Sequence, residues 1–141
     1  MPNITVTRTI EFSEQDLCDI LSTAFEGGIN SWCPRVEYIK PADPERLEAF
    51  MKAGAEKGRM PYYLKYMAPV FGGEVHVYDD ERKVFSLSEE NFLEGLRKAL
   101  QDPDAAWILE AGDADSICCN IDANFASGII EYALFGEVIY A

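Results

Sequence analysis

Helical periodicity is clearest near the start of the chain, in residues 13–32. Apolar side chains recur there at the spacing of one helix face, at Leu17, Ile20, Leu21, Ala24 and Phe25. Ser13 stands where an N-cap is expected, and the glycine pair at 27–28 predicts a left-handed end to the helix. Ile29 and Trp32 follow the glycines, and we expect their apolar side chains to pack in the core that this helix faces. We expect this helix to organise the core.

Alternating apolar and polar positions predict the strands. Residues 4–12 alternate with β-branched side chains on both faces, and residues 34–40 and 137–141 carry weaker strand patterns. The clearest hairpin lies in residues 74–87, around a turn at 79–82.

Three further helices are marked by their start signals. One begins at Asp43-Pro44, where proline loses no hydrogen bond, and another spans 89–101 behind Ser88. The last spans 123–135 behind Asp122. Residues 60–73, with two prolines and several aromatic residues, predict an ordered loop, and an edge strand within it is the alternative.

A second set of connections is acidic and less regular. Residues 110–121 predict an acidic loop that contains Cys118 and Cys119, and residues 107–109 predict a short buried segment.

The element order mixes helices with a hairpin, which favours one α+β domain over residues 1–141. We expect a small, mainly antiparallel sheet of about four to five strands packed against about four helices. The strand order is left open.

Charge is the strongest compositional signal. Twelve Lys and Arg against 25 Asp and Glu give a net charge of −13. The last basic residue is Lys98, so residues 99–141 carry eight acids and no cation. This sign disfavours direct binding to nucleic acid or to an anionic membrane. The acids either keep the protein soluble or present carboxylates to a basic protein groove. The candidate partner-binding residues are Asp102, Asp104, Glu110, Asp113, Asp115 and Asp122.

Aromatic residues form a secondary candidate surface, because Tyr and Trp dominate many binding hot spots. They are Trp32, Tyr62, Tyr63 and Tyr66. The alternative is that they pack a loop over the core.

Motifs for catalysis, metal binding or cofactor binding are missing. His76 is the single histidine, so any Ser-His-Asp or Cys-His arrangement would need it, yet it stands between Val75 and Val77 on a strand. Four cysteines without a CxxC pair predict reduced thiols and no zinc site. Asp113-Ala-Asp115 resembles the start of a calcium loop but lacks the later glycine and glutamate. We expect a non-enzymatic protein without cofactor or metal.

Targeting signals are not evident in the sequence. No apolar run approaches the ~18–20 residues needed to span a bilayer, and no basic segment leads into an apolar one at the N-terminus. We expect a cytoplasmic protein.

Two stretches, TAFEGGINSWCP (23–34) and NIDANFASGIIEYALFGEVIYA (120–141), resemble a family of small proteins from phages and prophages of gut Firmicutes. A GGIN-aromatic turn and a YALFGE ending recur in that family, and the hairpin and helix at 74–100 also fit it. Residues 42–73 match least. The resemblance brings no known catalytic residue or ligand. It implies a phage-type accessory protein in the cytosol of a bacterial host.

The resemblance also implies a class of function. Small acidic phage proteins commonly act by binding, for example by occupying a nucleic-acid-binding groove of a host defence or transcription protein, in the manner of an anti-CRISPR protein or a DNA mimic. The expected partner is therefore a host protein with a basic surface. The alternatives are a binder of a small molecule or nucleotide signal, built around the aromatic loop, and a phage accessory protein with a structural role. Basic residues lining a pocket would favour the small-molecule binder, whereas a single-sign acidic surface would favour the inhibitor.

Overall fold

The computed structural model describes residues 2–4, 7–56 and 66–140. Over these residues the fold is α+β, with six α-helices and a three-stranded antiparallel sheet. The helices are α1 (Glu14–Thr23), α2 (Pro44–Glu56), α3 (Glu89–Gln101), α4 (Ala106–Leu109), α5 (Ala114–Cys119) and α6 (Ala123–Phe135). The strands are β1 (Arg35–Lys40), β2 (Glu74–Tyr78) and β3 (Val84–Ser88). Short π and 3₁₀ turns lie at Ala24–Gly28, Ala68–Phe71 and Pro103–Ala105.

The sheet has the order β1-β2-β3, with β2 in the centre. Val75 and Val77 of β2 are fully buried, and Val75 lies opposite Leu87 of β3. Side chains alternate between the two faces of a strand, so His76 points away from this core side, as its neighbours predict. The antiparallel hairpin is confirmed. The expected number of four to five strands is wrong for the described residues, which form three.

The first predicted strand is absent where the structure describes it. Residues 7–12 form no strand, and residues 5 and 6 lie outside the described part of the chain. The Arg8 guanidinium instead donates to the carbonyl oxygens of Leu109 (2.5 Å) and Gly112 (3.3 Å). This anchors the segment beside the end of α4. The alternating pattern did not predict this contact, which joins residues far apart in the sequence.

The last predicted strand is also wrong over residues 137–140, which form no strand. The backbone N–H groups of Ile139 and Tyr140 donate to Oε1 of Glu131, at 3.0 and 2.5 Å. A buried carboxylate on α6 thus takes the place of a neighbouring strand. Residue 141 lies outside the described residues.

Helix α1 has the predicted start and a different end. Ser13 and Asp16 form a capping box, but the helix runs into the π turn Ala24–Gly28, and its glycines do not have positive φ. A Cβ on Gly28 would lie 2.6 Å from the carbonyl oxygen of Ala123. The glycine is therefore needed for the close approach of α6, and the expected left-handed helix end is wrong.

The core forms where α3 and α6 pack against each other. Both helices have the predicted bounds, with Ser88 and Asp122 as N-caps. Phe92, Ile129 and Ile130 are fully buried. Arg46 links α2 to the first turn of α3, because its guanidinium donates twice to the Glu89 carboxylate, at 3.1 and 2.8 Å.

Two connections differ from their predictions. The acidic loop expected at 110–121 is wrong in its centre, which forms α5. Of the segment expected to be buried at 107–109, Ile108 is fully buried, whereas 57% of Trp107 is exposed. The 3₁₀ turn Ala68–Phe71 confirms order in the described part of the 60–73 loop, and residues 60–65 lie outside it. No helix of the described residues has the length and apolarity to cross a membrane.

Candidate partner-binding site

The structure separates the six candidate acids into two groups. Asp102, Asp104 and Asp122 line a cleft of about 410 Å³ beside the N-terminal end of α6, here called the acidic cleft. Glu110, Asp113 and Asp115 lie outside this cleft, around the α4–α5 connection, and are here called the α5 acids. The sequence placed all six in one stretch and could not show this division.

The acidic cleft combines negative charge with aromatic surface. Besides the three aspartates, its wall includes the exposed ring of Trp107, and no lysine or arginine is among its described lining residues. Aromatic faces and carboxylates both attract cations, the first through the ring quadrupole and the second through their charge. The cleft is therefore suited to a positively charged group.

Asp102 is held in place by two hydrogen bonds. Its Oδ1 accepts from the backbone N–H of Asp104 (2.9 Å), and its Oδ2 accepts from the hydroxyl of Tyr132 (2.9 Å). The bond to Asp102 is the main cause of a raised pKa of Tyr132, followed by burial. The Asp102 carboxylate is thus oriented, and the tyrosine stays neutral over the physiological range.

Asp122 has a structural role as well as a charge. It is the N-cap of α6 and accepts from the backbone N–H of Phe125 at 2.8 Å. An acid at this position is favoured by the positive end of the helix dipole. Asp104 and Asp122 are both exposed, so both carboxylates are open to a partner.

The α5 acids meet a second acidic group from α1. Asp113 caps α5 and accepts from the backbone N–H of Ser116 (2.8 Å), which lowers the pKa of Asp113. The pKa of Asp115 is raised, first by a hydrogen bond with Asp16 and then by neighbouring negative charge, including that of Asp19. Carboxylates that repel one another in this way favour a cationic partner.

The cysteines in this region differ in access. None of the four cysteines is joined in a disulfide, and Cys119 is exposed whereas Cys118 is half-buried. Burial, followed by the negative charge of Asp16 and other nearby acids, raises the pKa of Cys118 to about 12. Cys118 is therefore a poor nucleophile at neutral pH, because the reactive thiolate is scarce.

A buried polar chain lies under the acidic cleft and was missed from the sequence. The indole Nε1–H of Trp32 donates to the Ser127 hydroxyl (3.0 Å), which donates to Oε2 of Glu131 (3.2 Å). Glu131 is 1% exposed and also accepts from the backbone of residues 139 and 140. A glutamate within the apolar run of α6 was the available signal, since buried carboxylates need partners.

The secondary aromatic surface is not supported at Trp32. This residue is 3% exposed, and its ring stacks on Tyr140 with centroids 4.9 Å apart. Tyr66 is half-buried and lies edge-on against Phe25, with centroids 5.9 Å apart. Tyr62 and Tyr63 lie outside the described residues. The placement of Ile29 and Trp32 in the core is confirmed.

His76 lies in a row with two other polar residues, opposite Glu37 on β1 and Ser86 on β3. The Ser86 hydroxyl is enclosed and has no hydrogen-bond partner in the described part of the chain. The Glu37 carboxylate already accepts from Arg35 and Tyr78. This row therefore offers no accessible, activated serine. Over the described ranges, no three His, Cys, Asp or Glu residues are grouped to hold a metal ion.

Comparison of the chain with protein-family models, with curated proteins and with solved structures returned no significant match.

Proposed function

We propose that this protein is a non-enzymatic binding protein that presents its acidic C-terminal third to a basic groove of a partner protein. The observation that supports the proposal is the absence of any lysine or arginine after Lys98, in a region where carboxylates line a concave, partly aromatic cleft. A surface of one sign attracts a basic partner over long range and repels acidic ones.

The partner class follows from the charge and from the phage-type resemblance. A protein groove that holds nucleic acid is lined by lysine and arginine, because these residues neutralise phosphates. The acidic cleft and the α5 acids offer two patches of carboxylates to such a groove. The proposed partner is a nucleic-acid-binding protein of a bacterial host's defence or transcription system, which the acidic protein inhibits by competing with the nucleic acid.

The test is capture from a lysate of a gut Firmicute at two salt concentrations, with and without added duplex DNA. We expect the captured protein to be displaced by DNA and to associate more slowly as ionic strength rises, because salt screens steering beyond roughly 8–10 Å. Capture that is indifferent to both salt and DNA would contradict the proposal.

Charge-neutralising variants locate the binding surface. One variant carries Asp104→Asn and Asp122→Asn in the acidic cleft, and asparagine preserves the N-cap. A second carries Glu110→Gln, Asp113→Asn and Asp115→Asn. A protein that carries both sets should bind the partner at least tenfold more weakly than the wild type does. A control with Glu45→Gln, Glu48→Gln and Glu56→Gln, on the exposed side of α2, should change binding much less. If the proteins that carry either acidic set or both sets bind the partner with wild-type affinity, the charge asymmetry is only a solubility feature.

A further inference from the structure

A second cleft shares no lining residue with the acidic cleft. It is formed between residues 7–12, α3 and the end of α4, has a volume of about 610 Å³ and is here called the arginine groove. Its apolar lining residues are Ile10, Phe12, Leu93, Leu96, Leu100 and Leu109. Leu93 is 42% exposed, so part of this apolar surface is open to a ligand.

The polar lining of the arginine groove holds two basic residues, although the chain as a whole is acidic. It consists of Thr7, Arg8, Arg97 and Gln101. Each of these side chains can donate hydrogen bonds, and no carboxylate is among the described lining residues. In a chain with 25 acids and 12 bases, an apolar groove with two guanidinium groups is an unusual local composition. A pocket lined by basic residues is the feature expected of a small-molecule binder.

Both arginines already have partners within the chain, which a ligand would share or replace. Arg8 uses two of its N–H groups on the carbonyl oxygens of Leu109 and Gly112, and a guanidinium has five N–H donors. Arg97 pairs with Glu94 and with the Gln101 side-chain oxygen, and both members of the Arg97–Glu94 ion pair are about half exposed. Exposed ion pairs of this kind exchange readily with water, so a ligand anion can compete for the guanidinium.

We propose that the arginine groove binds a fatty acid, with the carboxylate at Arg8 and Arg97 and the alkyl chain over the leucines of α3. A guanidinium matches a carboxylate geometrically, since two parallel N–H groups meet two oxygens. The alkyl chain accounts for the six apolar lining residues, and the volume lies within the usual range for small-ligand sites.

The net charge of the protein favours a monoanion over more highly charged ligands. A chain of net charge −13 repels anions in general, and the repulsion grows with the charge of the ligand. A nucleotide or a phospholipid headgroup carries more charge or more polar surface than this groove can pair. A fatty acid carries one negative charge and gains its remaining affinity from apolar burial.

The test uses sodium dodecanoate as the probe, below its critical micelle concentration, with calorimetry for affinity and methyl NMR for location. We expect dodecanoate to bind at least tenfold more tightly than the uncharged 1-dodecanol, which has the same chain length. Shifts should be concentrated at the methyl groups of Leu93, Leu96, Leu100 and Leu109. The exposed methyl groups of Val84 and Ile139, which do not line the groove, should move little.

Variants separate the two halves of the interaction. Arg97→Gln should weaken dodecanoate at least fivefold with little effect on dodecanol, and Leu93→Ser should weaken both. Arg35→Gln and Val84→Ser are matched exposed controls on the sheet and should bind dodecanoate as the wild type does. Arg8→Gln is informative if circular dichroism shows that it folds, and Arg97→Gln decides the matter if it does not.

Two results would overturn the fatty-acid site. One is equal affinity for dodecanoate and dodecanol, which would indicate unspecific apolar adsorption. The other is the absence of binding, or methyl shifts outside the groove. The experiment uses no protein partner, so its outcome is independent of the proposed acidic surface.

Discussion

The neighbouring acids Asp113 and Asp115 have opposite effects on the stability of this protein. The Asp113 carboxylate accepts from the Ser116 N–H, so its negative charge is stabilised and its pKa is lowered. The Asp115 carboxyl group shares a hydrogen bond with Asp16 and lies near other acids, so its protonated form is favoured and its pKa is raised. At this scale, partners decide whether a carboxylate supports the fold or strains it.

Asp115→Asn should therefore raise the unfolding midpoint at about pH 7. The raised pKa means that the folded protein binds this proton more tightly than the unfolded chain does, so stability falls as pH rises through that pKa. The substitution removes repulsion that persists at neutral pH. Its gain should disappear below the ordinary value of 3.8, where both states are protonated. Denaturant unfolding at several pH values measures the effect.

Asp113→Ala supplies the contrast of opposite sign. Its lowered pKa contributes stability that is present above the unfolded pKa and lost as pH falls through the folded one. The variant should unfold earlier than the wild type at neutral pH, and the difference should shrink in acid. Equal and parallel pH profiles for the two variants would contradict this account.

At the scale of elements, glycines set how closely helices approach. A Cβ on Gly95 of α3 would lie 2.6 Å from the carbonyl oxygen of Ile129 and 2.7 Å from the backbone nitrogen of Ala133, both on α6. A Cβ on Gly128 of α6 would meet only Val138, at an ordinary 3.8 Å. Two glycines inside helices thus differ in whether a neighbouring backbone excludes a side chain.

Gly95→Ala and Gly128→Ala should change stability in opposite directions. Alanine is the better helix former by about 1 kcal/mol, so Gly128→Ala should stabilise the protein by up to that amount. Gly95→Ala must separate α3 from α6 and should cost about 1–3 kcal/mol net. Chemical denaturation of the two variants gives both values. Stabilisation of both proteins would mean that α3 and α6 do not pack this closely.

At the scale of the whole molecule, side-chain contacts join the two terminal segments of the described chain to the rest of the fold. The N-terminal segment is held by Arg8, and the C-terminal segment by Glu131 and by the Tyr140 ring stacked on Trp32. The stacked rings are nearly parallel, with an interplanar angle of 3°. Residues 138 and 140 also line the acidic cleft, so the C-terminal segment is one of its walls.

Glu131→Ala should release this wall. The N–H groups of residues 139 and 140 lose their acceptor, and we expect a stability loss of at least about 1–3 kcal/mol. In a Trp107→Phe background, Trp32 is the remaining indole, and its emission should shift to the red and become accessible to acrylamide. Glu137→Ala, at an exposed acid in the same segment, should leave the emission unchanged. Unchanged emission in Glu131→Ala would show that the segment is held by other contacts.

Local interactions account for what the sequence by itself determined. Ser13, Ser88 and Asp122 each cap a helix where they were expected, because a capping side chain bonds to a backbone N–H only two or three residues away. The helix stripes and the hairpin depend likewise on spacing along one element or on a short turn. The α+β class and the bounds of α3 and α6 could therefore be predicted, and the candidate acids were chosen from charge alone.

Only the tertiary structure decided which distant groups meet. Residues 7–12 and 137–140 were predicted as strands, yet Arg8 and Glu131 give them partners outside the sheet. The close approach of α6 explains why residue 28 is a glycine. The packing of the elements also buries Trp32 and places three of the six candidate acids in a cleft and the other three outside it. The physical reason is that spacing specifies which face of an element is apolar. The neighbour that covers this face, and the partner of each buried polar atom, depend on how all the elements pack together.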